Sequence, residues 1–317
     1  MHANPSDDIP QIDHSRTIEW PTLLMMVATY AVWAFGTYAW QFSPSLSVVL
    51  TTLAITQFSS LQHEVLHGHP FANRDVNEAL VFPALTLVVP FNRFRDLHLA
   101  HHYDPNLTDP YDDPEANYMD PAIWAQMSSP LKLLYRMNNT LMGRILFGPA
   151  IAIYALVKLD GGLIAKGDRA VLWAWILNTF GVALVLAWVL GLTTMPLWAY
   201  CTAAYAGFGL LKIRTYLEHR AHASFRARSV VVEDKGLFAL LFLNNNFHVV
   251  HHMHPNAAWY KLPGIYAARR DHYLRRNESY VYRSYAQIFA LFLFRAKDPV
   301  PHPIWQAPDP GDRTGSL

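Results

Sequence analysis

Sixteen histidines stand in this 317-residue sequence, and ten of them fall into four close groups. The groups read His63-Glu64-Val65-Leu66-His67, His98-Leu99-Ala100-His101-His102, Glu218-His219-Arg220-Ala221-His222 and His248-Val249-Val250-His251-His252. On a helix, residues three or four apart share a face, so a group with this spacing aims two or three imidazoles in one direction. Imidazole suits iron, copper, zinc and nickel. Eight or nine imidazoles exceed the shell of one ion, so two ions are implied. The only cysteine, Cys201, excludes thiolate clusters and cysteine-built structural zinc. An all-nitrogen shell poor in carboxylates favours a redox ion that binds dioxygen, iron before others, with zinc the rival by ligand type.

His63-Glu64-Val65-Leu66-His67 also fits the zinc-protease signature, two histidines on the ion and a glutamate as general base. That reading leaves six other clustered histidines without a role. His222 is set aside because His219 already holds the place nearer the preceding apolar stretch. His2, His14, His69, His254, His272 and His302 stand outside the pattern.

The elements that must position these groups are apolar. Hydrophobic residues make up 52% of the chain and charged residues 15%, against about 25% charged in an ordinary soluble domain. Residues 20–62 and 170–211 hold no Asp, Glu, Lys or Arg. A bilayer core takes roughly 20 apolar residues per helix, so each stretch supplies two spans. Pro44 and the run from Gly191 to Pro196 break them. The sequence predicts an all-α integral membrane protein: two helical hairpins, spans at about 20–41, 45–62, 170–190 and 196–211, and a helical cap of segments 63–169 and 212–317 holding a two-metal site. All 25 Lys and Arg residues lie outside these stretches, which places both termini, the cap and the histidines on the cytoplasmic side. No basic region precedes an early apolar run, so no signal peptide is expected. A net charge of +1 points to no nucleic acid. Ile145–Val157 reads as an interfacial helix, and Phe82–Phe91, with Pro83 and Pro90, as too short to span. Asp104–Asp120 reads as a Pro-stiffened loop and the chain after Pro299 as loose. Glu64, Asp96, Asp104 and Glu218 are the acceptors expected to orient the imidazoles.

The order H-x-x-x-H, H-x-x-H-H, H-x-x-H-H on one side of a four-span chain resembles the membrane fatty acid desaturase superfamily, from Trp20 to about Arg295, within one domain covering 1–317. The resemblance implies a metal set of His63, His67, His98, His101, His102, His219, His248, His251 and His252, with Asn244 holding a metal-bound water. It further implies two irons, dioxygen as co-substrate, a fatty-acyl or lipid substrate and a separate electron donor. The superfamily is similar in its boxes to hydroxylases and terminal-alkene-forming decarboxylases. Glu64 and the three-residue spacing of the first box depart from the H-D-x-x-x-H of many acyl-CoA desaturases. The chain itself carries no Gly-rich phosphate loop and no cysteine set. The donor is therefore expected to be another protein, a ferredoxin or small haem cytochrome, met by Arg269, Arg270, Arg275, Arg276 and Arg283.

Overall fold

The structure is a computed structural model and describes residues 18–307. His2, His14 and Arg16 lie outside the described residues. The chain is mostly helical. Helices α1 (Trp20–Tyr38) and α2 (Pro44–Leu66) come first, then α3 (Arg74–Leu80), α4 (Phe91–His101), α5 (Pro121–Gln126) and α6 (Ser129–Asn138). The long helices α7 (Leu141–Ala165), α8 (Arg169–Leu192) and α9 (Leu197–Thr215) follow. The C-terminal part holds α10 (Leu237–Leu241), α11 (His248–Met253), α12 (Leu262–Ala268), α13 (Arg270–Arg276) and α14 (Tyr285–Phe292). Strands β1 (Val231–Val232) and β2 (Val281–Tyr282) pair in parallel.

Four helices are long and apolar enough to cross a membrane: Trp20–Gln41, Pro44–Leu66, Leu141–Ala165 and Arg169–Leu192. Three answer to expected spans. The fourth is α7, where only a short interfacial helix was expected. The expected span 196–211 forms α9, whose last turn carries Lys212 and Arg214 and which lies outside that set.

Contacts fix the direction of each helix. Pro44 opens α2, and the Ser43 hydroxyl caps it by accepting from the Leu46 N–H. Tyr30 and Phe58 meet at 5.8 Å, while a Cβ on Gly36 would touch the Thr51 nitrogen at 3.0 Å, so α1 and α2 run antiparallel. One face of α2 is hydroxylic. Thr52 donates to the Ala203 carbonyl at 3.3 Å and Thr56 to that of Gly207 at 3.2 Å, so α2 and α9 run parallel and end together at the histidines. Such hydrogen bonds and small residues replace the hydrophobic drive that helices lack among apolar neighbours.

The second expected hairpin is not packed along its length. Helix α9 lies against α2 and α7 rather than α8. Between α8 and α9 sits irregular backbone from residues 81–90. Its carbonyls are satisfied by side chains, Tyr200 to Leu85 at 2.9 Å and Asn178 to Leu87 at 3.2 Å, as non-helical backbone in an apolar bundle requires. Gly181 admits it: an added Cβ would stand 2.3 Å from the Phe82 oxygen.

Helix α7 crosses α9 near Gly209 and Lys212 at its start and reaches Arg93 and Trp175 at its end. Both ends thus lie on the histidine side. There Asp160, 1% exposed, accepts from Arg93 Nη2 at 2.8 Å, from Arg93 Nε at 3.0 Å and from Trp175 Nε1 at 2.8 Å. This pair anchors the first turn of α4, which carries the second histidine group. The chain past Pro299 packs as well: His302 is buried, its N–H donates to the Met119 carbonyl at 2.8 Å, and its ring meets Tyr118 at 5.0 Å. Expected loose, residues 300–302 close over the 108–119 loop.

Asp160→Asn leaves a buried guanidinium without its counter-charge, a change that costs about 3–5 kcal/mol. The expected outcome is a clear fall in unfolding temperature in detergent, partly recovered in the Arg93→Met, Asp160→Leu double variant.

Candidate metal centre

All nine expected histidines come together, in two groups. His63, His67, His98, His102 and His251 form one; His101, His219, His248 and His252 form the other, each group's ligand nitrogens lying within 4.8 Å of one another. The last turn of α2 supplies His63, and His67 caps its end. Helix α4 supplies His98 and His101, with His102 as its cap. His219 sits on an extended segment bridged to Ser229, not on a helix. The short helix α11 gives His248, His251 and His252. The rings of His102 and His252 stack at 4.5 Å, so the groups share a wall. His222 falls outside both groups, near Ser224 and Glu278.

The ring nitrogens are sorted by their partners. His98 Nδ1 lies 2.8 Å from Glu115, His101 Nδ1 lies 2.7 Å from Asp113 and His248 Nδ1 lies 3.2 Å from Asn245 Oδ1. These oxygens accept, so each Nδ1 carries the proton and each Nε2 presents a lone pair inward. His219 Nδ1 faces the Ser229 hydroxyl at 3.2 Å. Inside, Nε2 meets Nε2: His101–His219 at 2.9 Å, His219–His248 at 3.0 Å, His248–His252 at 3.1 Å, His98–His102 at 2.9 Å and His102–His251 at 3.1 Å. The buried Nε2 atoms of His63 and His67 have no protein partner. Converging lone pairs repel unless a cation lies among them, so the donor set fits bound metal. An ion about 2.1 Å from each nitrogen spaces neighbours about 3.0 Å apart when octahedral and about 3.4 Å when tetrahedral. The observed spacings are short enough for one ion to bridge neighbouring nitrogens.

Burial, reinforced by neighbouring imidazoles, holds His67, His102, His219, His248 and His251 below the usual histidine range. They stay neutral and ready to ligate. His101 differs. Burial pulls it down, but Glu115 and Asp113 outweigh that and push it up to about 9. Without a metal it holds a proton that an ion would displace. Burial raises Glu218 against the opposing Arg214, whose Nε lies 3.0 Å away.

The orienting carboxylates are only partly the expected ones, and the Asp104 side chain lies outside the described part of the structure. Asp96 pairs with Arg95 at the surface, whereas Glu64 accepts the Trp259 N–H at 3.0 Å with one oxygen and keeps the other 3.9 Å from His63 Nδ1. Glu218 does belong: it accepts from Asn245 at 3.1 Å and lies 3.7 Å from His248 Nδ1. Asp113 and Glu115 come from the Pro-stiffened loop, and no spacing rule marks them. Asn244 donates to the Trp259 carbonyl at 3.2 Å, while its neighbour Asn245 holds His248. A cavity of about 370 Å³ lies beside α2, lined by Gln62, Val81, Phe91, Asn92, Leu177 and Asn178 among others.

The family model for fatty acid desaturases matches residues 38–284. This places the chain in that family of oxidoreductases, and its two histidine groups could hold metal ions. The comparison with curated proteins returns no match.

Asp113→Asn and Glu115→Gln are expected to weaken metal binding by roughly 10–100-fold each, the usual effect of losing an orienting partner, as measured by chelator competition. Metal uptake at pH 7 should release a proton from His101, and the release should fade as pH rises through about 9, as read in weakly buffered titration.

Proposed function

We propose that the protein is a membrane-embedded di-iron oxidase that uses dioxygen and external electrons to oxidise a fatty-acyl chain, most concretely a fatty acid desaturase. The observation that carries this is the pair of buried imidazole groups, five and four rings with their ligand nitrogens within 4.8 Å of one another, in a chain of the fatty acid desaturase family. Iron accepts such shells, whereas structural zinc is closed and tetrahedral. The irons, when bound, supply the oxidation of an unactivated C–H bond. The chain's own residues do the rest: Asp113, Glu115 and Asn245 fix the rings, and the buried site excludes bulk water from the reacting carbon.

The membrane arrangement follows from helix direction and charge. In this reading α1, α2, α8 and α9 cross, and α7 lies along the interface with both ends on the histidine side. Lys and Arg excess marks that side as cytoplasmic. Outward-facing Leu24, Val27, Trp173, Phe180 and Leu184 suit contact with lipid. A donor protein meets the same side. Arg269, Arg275 and Arg283 lie on the surface of the C-terminal part, with Arg270 already paired to Glu233 at 2.6 Å. Helices α12 and α13 there pack on α11, through contacts such as His254 to the Tyr273 hydroxyl at 3.0 Å.

Purified protein should hold about two irons per chain, and alanine at any of the nine histidines should lower that content. Exposed His272 is the control; buried His302 is not. Product mass should show loss of two hydrogens. Turnover should need an added carrier and fall with salt, because exposed charges are screened beyond about 8 Å at physiological ionic strength. One zinc per chain, or turnover with NADPH alone, contradicts the reading.

A further inference from the structure

Among the nine histidines, His219 has the least local support. The other eight sit on helices α2, α4 and α11 or at their ends, where helical hydrogen bonds fix the backbone. His219 lies on an extended segment, and its bridge to Ser229 is made by neighbouring residues. The Arg220 N–H donates to the Arg228 carbonyl at 2.9 Å and the Val230 N–H to the Glu218 carbonyl at 3.0 Å. Its ring is also held by a weaker partner. Nδ1 faces a neutral hydroxyl at 3.2 Å, whereas His98 and His101 face carboxylates at 2.8 Å and 2.7 Å, and bonds to charged acceptors are the stronger kind.

The His219 carbonyl is taken by a residue far along the chain. Lys297 Nζ donates to it at 2.7 Å and to the Tyr280 hydroxyl at 3.1 Å, and it lies 2.9 Å from Asp298 Oδ2. An ammonium has three N–H donors, so these acceptors use all of them, on a side chain only 10% exposed. The same Asp298 oxygen accepts from the Tyr118 hydroxyl at 2.6 Å, which in turn accepts from the Ala221 N–H at 2.9 Å. The circuit therefore closes on the backbone on both sides of Arg220. Tyr280 adds a hold by donating to the Leu217 carbonyl at 2.7 Å. The clamping segment is itself tied down: the Lys297 N–H donates to the Tyr216 hydroxyl at 3.1 Å and the Met119 N–H to the Val300 carbonyl at 3.0 Å. Lys297 and Asp298 stand past residue 284, where the family match ends.

We propose that Lys297, Asp298 and Tyr118 are positioning residues that set His219 for one of the two metal positions. The inference rests on the metal centre described above, not on the identity of the metal or its reaction. These residues act on the backbone of residues 219–221, and the ring follows. His219 belongs to the group with His101, His248 and His252 and not to the group of five, so their effect falls on one metal position.

The test is Co2+ binding to the purified full-length protein in detergent, read by visible absorption, which reports the ligands of the ion, and by chelator competition. Losing a partner that orients a ligand costs roughly 10–100-fold in metal affinity. The unaltered protein should take up two ions per chain. Lys297→Met and Tyr118→Phe should each weaken one of them by about tenfold or more and change its spectrum, leaving the other as it was. The double variant should lose no more than the worse single variant, because both act through one segment. Unchanged binding in both variants, or losses that add in the double variant, overturns the clamp. Loss spread equally over both metal positions, with a lower unfolding temperature of the metal-free protein, shows a general structural role and overturns it equally. Tyr118→Phe removes a single hydroxyl, which keeps the comparison open if Lys297→Met fails to fold. Unaltered protein that binds no Co2+ removes the metal centre and this inference with it. Protein that binds two ions and shows the selective loss, yet oxidises no acyl chain, removes the oxidase reading and leaves the clamp standing.

Discussion

Nine buried imidazoles crowded with their ring nitrogens facing one another are the constraint on which the rest of this structure depends. Such a cluster repels itself unless cations sit within it, and its rings turn away unless something holds each Nδ1. The fold answers the second need with oxygen acceptors brought from separate segments: Asp113 and Glu115 from the acidic loop, Asn245 from the turn before α11 and Ser229 from an extended bridge. The first need is one that bound metal would meet. Burial keeps most of the rings neutral, so the site is poised for ions rather than protons, while His101 holds a proton that a metal would displace.

Much of this was legible in the sequence because histidine spacing and helical periodicity obey the same geometry. The pairs and triplets on α2, α4 and α11 fall where three- and four-residue spacing places them. His219 joins them from an extended strand, where spacing says nothing and only its position after α9 gave a signal. The orienting carboxylates were illegible for a related reason. Asp113 and Glu115 reach the site through loop geometry, which depends on Pro-rich turns and on packing under His302, and no local pattern encodes that. Glu64 was legible in part: its place beside His63 puts one oxygen 3.9 Å from that ring's Nδ1, while its bond to the distant Trp259 backbone has no local signal.

The apolar helices teach a similar lesson. Charge-free stretches located α1, α2 and α8 well, since burial in lipid needs length and apolarity alone. For α7 and α9 apolarity alone does not decide, because there the deciding factor is tertiary. Helix α9 tolerates Lys212 and Arg214 at its histidine end, where the cap receives them. Helix α7 is apolar enough to cross, yet its contacts at both ends return it to the side from which it started. Hydropathy measures what a segment tolerates, whereas partners such as Asp160 with Arg93 decide where it lies.

The ligands come from four segments lying between His63 and His252, and each of the two groups draws on the first or second histidine box together with the last. During synthesis the early helices are therefore made with half-built groups, His63, His67 and the α4 histidines lacking their partners until α11 emerges. Neither group has its full set of imidazoles before then. A metal held by these groups would accordingly be acquired late, and would close the cap onto the helices as a clasp joins the two ends of a strap.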